Sequence, residues 1–293
     1  MDKWLVKTFL VPALAILAVA GFLIYGNNAI KITRFRISVD KLPRGHAGLR
    51  IVHISDLHGK EFGKQNRRLA RAIAGLEPHL VFVSGDMINS YSDDGSAFIN
   101  LLNELEGICP VYCSLGNHEQ IARGTRADLY DRFIERLRKA GAVLLDNERA
   151  EIEIGGATLG LYGFTAELYH YSSRSISEIW KGAELKEQDI VDKLGRPRDD
   201  EIAILLAHNP KYFQEYARWG ADLVFSGHIH GGVVRLPFLG GLLSPDVTFF
   251  PPYSAGLYRS GKTTMHVSRG LGNSVIPIRI FNRPDVSFIV LEP

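Results

Sequence analysis

Short apolar runs, each closed by Gly or a polar residue, punctuate the chain at residues 51–55, 80–84, 111–115, 202–207 and 223–226. Runs of that length, rich in Val, Ile and Leu and without alternation, predict strands covered on both faces. Helical periodicity fills the gaps. Residues 66–76 bring Leu69, Ile73 and Leu76 to one face, 97–105 form a second helix, and 127–140 space Leu129, Phe133 and Leu137 four apart before stopping at Gly141. A further helix is expected over 210–219. Residues 30–39 alternate apolar and charged side chains and predict a half-exposed strand. Residues 143–147, 150–154 and 157–161 predict short strands, the last two joined as a hairpin at Gly155-Gly156. Closing strands are expected at 264–268, 278–281 and 286–291. The alternation of strands and helices followed by hairpins predicts an α/β fold of two mixed β-sheets packed as a sandwich and flanked by helices.

The N-terminus differs in kind. Residues 8–30 carry no charge, about the length of helix that crosses a hydrocarbon core, and Trp4 and Tyr25 flank it where interfacial aromatics belong. A cleaved signal peptide is the rival, since Ala18-Val19-Ala20 resembles a cleavage site, but the apolar run continues through Phe22, Leu23 and Ile24. The expected division is a membrane anchor or uncleaved signal over 1–30 and one catalytic domain over 31–293. Lys31, Arg34, Arg36, Lys41 and Arg44 follow the segment and only Lys3 and Lys7 precede it, which favours a cytoplasmic domain. Residues 165–201 are polar and poorly periodic, the expected insertion, with a helix near 176–185. Residues 231–261 are rich in Gly, Pro and aromatics, and 238–253 read either as a lipid-facing rim or as ordinary loop packing.

Composition narrows the classes. A formal net charge of +2 across 293 residues offers no concentrated basic face and argues against a nucleic-acid partner. The two cysteines, Cys109 and Cys113, lack redox spacing and read as buried thiols, not as a disulfide. No protein partner is inferred.

Chemistry-bearing residues sit just beyond the apolar runs: Asp56 and His58, Asp86, Asn117, His208, and His228 with His230. Side chains at the carboxyl ends of such strands converge on one crevice. Their donors are oxygen and nitrogen only, which suits a pair of divalent metals. A lone D-x-H is weak, but five linked motifs in order are strong. D-L-H at 56–58, G-D at 85–86, G-N-H-E at 116–119, His208 and G-H-I-H at 227–230 resemble the calcineurin-like metallophosphoesterase superfamily. Gly231-Gly232, Ala255-Gly256-Leu257-Tyr258 and Ser268-Arg269-Gly270 resemble its membrane-anchored YkuE-type branch.

The resemblance implies an αββα sandwich and a centre of two divalent metals, with Mn²⁺ expected and Fe²⁺, Zn²⁺ or Mg²⁺ as alternatives. Asp56, His58 and His230 would hold the first metal, and Asn117, His208 and His228 the second. Asp86 would bridge them, and His118 would be catalytic, protonating the leaving group or stabilising the transition state. Glu119 is expected to orient one of the histidines. Asn89 occupies the position of the tyrosine of purple acid phosphatases, which disfavours an iron–tyrosinate site. Arg235 and Arg269 are candidates for substrate phosphate contacts, against structural salt bridges. His53, His79, His170 and His266 read as structural or surface residues, and Arg67, Arg68 and Arg71 as a solvated helical face.

The expected function is hydrolysis of a phosphodiester or pyrophosphate bond, in a membrane or lipid-linked substrate such as UDP-2,3-diacylglucosamine. A general phosphodiesterase or nuclease acting on soluble nucleotides is the first alternative. A non-catalytic scaffold is the second, and cyclic-nucleotide hydrolysis is a further one.

Overall fold

The computed structural model describes residues 6–43, 48–91, 93–171, 184–236, 238–244, 248–273 and 277–293. A π-helical turn, Val6–Leu10, leads into helix α1 (Val11–Asn28), whose residues are almost all exposed. The apolar segment Thr8–Asn28 has a mean hydropathy of 2.3 and is long and apolar enough to cross a membrane. The chain then runs through β1 (Lys31–Ser38), β2 (Leu49–Ile54), α2 (Arg67–Ala74), β3 (Leu80–Ser84), α3 (Ser96–Leu105), β4 (Val111–Ser114), α4 (Asn117–Thr125), α5 (Ala127–Lys139) and β5 (Val143–Leu144). It continues through β6 (Glu148–Ile154), β7 (Ala157–Phe164), α6 (Glu187–Leu194), β8 (Ile202–Ala207), α7 (Phe213–Trp219) and β9 (Leu223–Ser226). A small hairpin, β10 (Val234–Leu236) and β11 (Gly240–Leu243), precedes β12 (Gly256–Ser260), β13 (Thr263–Val267) and β14 (Asp285–Glu292).

Two six-stranded mixed sheets result, ordered β1-β14-β2-β3-β4-β5 and β12-β13-β9-β8-β7-β6. The central neighbours in both are parallel: β2, β3 and β4 in the first sheet, β7, β8 and β9 in the second. Strands buried on both faces need continuous apolar runs, as β3 (LVFVS) and β8 (IAILLA) have. The inner faces meet through Ile51, Phe82, Leu161, Ile204, Phe225 and Ile289, none exposed. Helices α2, α3 and α5 cover the outer face of the first sheet with Leu69, Phe98 and Phe133. Helices α6 and α7 cover the second with Ile190, Tyr216 and Trp219. The layers are therefore αββα.

Several expectations change. Residues 278–281 form no strand. Ile280 makes only an isolated bridge to Val234, Phe281 turns into the left-handed region, and Arg279 is buried against His230 of the β9 loop. The strand expected at 143–147 is two residues long, Val143–Leu144, and the chain turns at Asn147, whose φ is 56°. The helix expected near 176–185 falls almost wholly outside the described residues. Within the polar insertion, α6 and a 3₁₀ turn at Leu168–Tyr171 were not foreseen. Helix α4 was also missed, since its opening residues read only as chemistry. Both cysteines are free thiols, Cys113 buried and Cys109 half-buried.

Candidate metal centre

The seven candidate ligands come from the carboxyl ends of five parallel strands, three in one sheet and two in the other. Asp56 and His58 follow β2, Asp86 follows β3, and Asn117 follows β4 as the first residue of α4. His208 follows β8, and His228 and His230 follow β9. The crevice therefore lies where the two sheets' strand ends face each other. Five of the seven, Asp56, His58, Asp86, His228 and His230, have φ between 49° and 68°. Non-glycine residues in that region are uncommon and cluster where the surrounding structure over-determines them, as at functional sites. Their turns re-aim each side chain off its strand axis and into the crevice.

Asp56, His58 and His230 form one compact group. His230 Nε2 lies 3.2 Å from Asp56 Oδ1, and His58 Nε2 lies 3.0 Å from His230 Nε2. Asp86, His208 and His228 form another, with His208 Nε2 3.0 Å from Asp86 Oδ2. Asp86 stands between the groups, its Oδ2 also 3.9 Å from His58 Nε2. Its Oδ1 accepts the backbone N–H of His118 at 2.8 Å. The ring of His118 closes a third group with His58 and Asp86.

Burial and charge compete here. Burial raises the Asp56 carboxyl to about 6. Burial also lowers His58 to about 3 and, with His58 and Arg279 nearby, holds His230 well below the usual imidazole range. Burial opposes ionisation of Asp86 too, but His208 and His118 beside it hold the carboxyl well below the usual range. In the same way burial pulls His208 down, yet the Asp86 carboxylate lifts it to about 9.

Buried Asn117 Oδ1 makes no hydrogen bond, and His208 Nε2 stands against carboxylate oxygens, Asp86 Oδ2 at 3.0 Å and Asp56 Oδ1 at 3.8 Å. A buried amide oxygen without a partner is rare, and beside two carboxylates and four imidazoles it suits a cation ligand. The donor set fits two divalent metals by its chemistry: oxygen and imidazole nitrogen, with no thiolate.

Glycines let the loops close. A Cβ on Gly116 would stand 2.1 Å from Asp86 Oδ1, and one on Gly227 would stand 2.5 Å from Asp56 Oδ2. Glu119 acts differently from the expectation. Among the described residues its buried carboxylate makes no hydrogen bond to a histidine and accepts the backbone N–H groups of Asp86, Met87, Ile88 and Gly116 at 2.7–3.1 Å. It fixes the loop that carries Asp86.

Other supporting residues were missed. Ser90 N–H points to His118 Nδ1 at 3.3 Å and Ser90 Oγ lies 2.8 Å from the same atom. Asn282 Nδ2 donates to the carbonyls of His230 and Gly232, both at 2.6 Å. Buried Arg279 donates to the carbonyls of Arg269 and Gly272 and approaches His230 Nδ1 at 3.4 Å. No spacing signals these roles, because each reaches the site through backbone carbonyls or a loop. Arg67 pairs with Glu104 at 2.9 Å, and Arg68 donates to the Asn28 carbonyl at the end of α1.

Arg235 and Arg269 lie one step beyond the β9 loop. Arg235 Nη1 donates to the Gly231 carbonyl at 3.1 Å and to Ser254 Oγ at 3.3 Å, and the Arg269 stem abuts Gly231. Both line a cavity of about 460 Å³.

The calcineurin-like phosphoesterase family model matches residues 49–232, from β2 through the two glycines after His230. The chain belongs to that family. It is a metal-dependent phosphohydrolase of a family that binds a dinuclear metal site. It is 27% identical over 270 residues to the uncharacterized metallophosphoesterase YkuE of Bacillus subtilis, covering 90% of this chain and 86% of that one. It is 30% identical over 287 residues to a transmembrane protein with metallophosphoesterase domain of Danio rerio, covering 95% of this chain but 61% of the fish protein's length. It is 28% identical over 249 residues to the phosphodiesterase YaeI of Escherichia coli, covering 84% and 83%.

Proposed function

We propose that the chain is a membrane-anchored hydrolase of phosphodiester or pyrophosphate bonds. The observation that carries this reading is the convergence of seven oxygen and nitrogen ligands from five strand ends, with the buried Asn117 Oδ1 among them making no hydrogen bond. In this reading Asp56, His58 and His230 hold one cation, Asn117, His208 and His228 hold the other, and Asp86 serves both. Mn²⁺ is the proposed cation, with Fe²⁺, Zn²⁺ and Mg²⁺ as alternatives that the same oxygen and imidazole donors admit. The two cations, when bound, supply charge neutralisation at the phosphoryl group and acidify a water.

The protein's own part is proton delivery and orientation. Ser90 Oγ, 2.8 Å from His118 Nδ1, accepts the Nδ1 proton of the imidazolium form. The imidazolium then gives its Nε2 proton to the departing oxygen and returns to the neutral ring. The Asp86 carboxylate holds the His118 backbone, which ties the acid to the centre of the ligand set.

The name of the Escherichia coli relative supports a phosphodiester substrate, and that of the fish relative supports a membrane setting. Helix α1 is the anchor in this reading. Lys31, Arg34 and Arg36 directly after it favour a cytoplasmic catalytic domain. A lipid-linked substrate, with UDP-2,3-diacylglucosamine as the concrete candidate, joins the anchor and the Arg235–Arg269 cavity in one account. The test is turnover of bis-p-nitrophenyl phosphate by the full chain with Mn²⁺. Asp86→Ala is expected to abolish it, and equal turnover by both proteins overturns the reading. Competition between lipid-linked and soluble nucleotide substrates then decides the substrate class.

A further inference from the structure

A group of apolar side chains stands in water around the Arg235–Arg269 cavity. Phe238 is fully exposed, and Leu239, Phe249, Phe250 and Phe281 are each more than half exposed. Phe238, Phe250 and Phe281 also hold left-handed φ values of 67°, 48° and 54°. That conformation costs an L residue about 1–2 kcal/mol. Burial of the rings within the described fold does not offset the cost.

Helix α1 says what lies beside them. The ring of Phe22 packs edge-on against Phe281, 5.3 Å between centroids. The helix end is clamped to the domain. Arg283 donates to the carbonyls of Ala29 and Ile30 at 2.9 and 2.7 Å, and Asn273 Nδ2 donates to Asn27 Oδ1 at 2.9 Å. The 21-residue apolar segment ends at Asn28. At 1.5 Å per residue it spans about 31 Å, matching a hydrocarbon core of about 30 Å with no slack. Phe22 precedes that end by six residues (28 − 22), which places it about 9 Å inside the apolar layer. Phe281, 5.3 Å from Phe22, therefore sits on the acyl-chain side of the head groups.

The cavity behind the rim is chemically distinct. Phe238, Leu239 and Phe281 contribute to its apolar lining, and Arg235 and Arg269 supply its charge. Among the described residues no carboxylate lies within ion-pair distance of either guanidinium. Burial and the like charge of Arg269 both disfavour the charge on Arg235. Two unmatched guanidiniums call for an anion with several acceptor oxygens. The apolar lip beside them calls for acyl chains on the same molecule.

We propose that this surface is a second membrane contact, in which the phenylalanine rim enters the leaflet at the end of α1 while Arg235 and Arg269 hold the phosphate of an anionic lipid. The proposal rests on the reading of α1 as a membrane-spanning helix. It deepens the functional reading, because Gly231 joins the cavity to His230. A phosphate-bearing lipid held there would lie against the two arginines that touch Gly231, the residue after His230.

The test uses the full chain in nanodiscs, with chelator present so that turnover plays no part. Phe238→Trp and Phe281→Trp variants are compared in discs with and without brominated acyl chains. Val143→Trp, on edge strand β5 at the far side of the first sheet from β1, is the control. The emission added at 238 and 281 is expected to be quenched by bromine, and that at 143 is not. Lack of quenching in chains that have incorporated into discs overturns the rim contact. Failure to incorporate overturns the anchor and the proposal with it. In mixed micelles, phosphatidic acid is expected to bind in preference to phosphatidylcholine and to inorganic phosphate. The Arg235→Gln/Arg269→Gln double variant should weaken that binding about tenfold or more, the loss of at least one charge-assisted hydrogen bond. Inorganic phosphate bound as tightly as the lipid, or no headgroup preference, overturns the lipid assignment. Loss of hydrolysis alone bears on the metal centre and leaves these results standing.

Discussion

His58 and His230 face each other across the crevice with their Nε2 atoms 3.0 Å apart and their rings within 13° of parallel. Burial keeps both imidazoles below the usual range, so neither carries a proton's charge at neutral pH. Two neutral ring nitrogens aimed at one space, beside the Asp56 carboxylate, make a cation site. Adding Mn²⁺ to chelator-treated protein should therefore raise its melting temperature. A cation at a hundred times its Kd contributes about 2.7 kcal/mol to the folded state. His58→Ala should reduce the Mn²⁺-dependent shift, as seen by differential scanning fluorimetry.

His118 has the N–H and hydroxyl of Ser90 at its Nδ1. His118→Ala should lower kcat by about 10²–10⁴-fold while leaving metal content intact. The deficit should shrink for a p-nitrophenolate leaving group and grow for an alkyl alkoxide, since only the latter needs protonation. A uniform deficit across leaving groups would show that His118 acts by charge alone. Ser90→Ala should reproduce a smaller part of the same leaving-group dependence.

Glu119 gathers four backbone N–H groups from two loops. Glu119→Ala strands those donors in a buried site, a loss of about 3 kcal/mol or more in stability. Urea denaturation of the chelated protein measures it directly. Metal affinity should fall in the same variant, because Asp86 loses the support for its φ of 58°.

Between the sheets, His53 Nδ1 meets His266 Nδ1 at 2.8 Å, and His53 Nε2 meets Ser84 Oγ at 2.8 Å. Burial lowers His266 to about 3 and His53 well below the usual imidazole range of 6.5. The unfolded chain then takes up protons before the folded one. Stability from this pair is present in full above pH 6.5 and is lost as pH falls below it. Each histidine contributes a slope of about 1.4 kcal/mol per pH unit below that point. His266→Phe should flatten the acid limb of the chelated protein's stability profile by about one such slope, read from urea midpoints between pH 7.5 and 5.

The strand ends were legible because β3 and β8 must be apolar throughout, and the first polar residue after each run is where the crevice begins. The helical stripes of α2 and α5 were legible for the related reason that 3.6-residue spacing marks a buried face. What stayed hidden acts through backbone. The left-handed turns at Asp56, His58 and Asp86 leave no residue-type signal, since Asp and His substitute for the expected glycine. Arg279 read as part of a strand because Ile278, Ile280 and Phe281 surround it with apolar residues, yet it serves the carbonyls behind His230. Glu119 was placed beside the site correctly and given the wrong partner. A carboxylate three residues into a helix can reach back to its own N-terminal loop as readily as to a histidine.

The central claim is that Asp86 stands between two cations, and anomalous diffraction from Mn²⁺-loaded crystals of the full chain tests it most directly. Two anomalous peaks are predicted about 3.5–4 Å apart, the separation of dinuclear hydrolases. One should contact Asp56, His58 and His230 and the other Asn117, His208 and His228, with Asp86 reaching both. A single peak, or a pair that leaves Asp86 without a cation, would contradict the account.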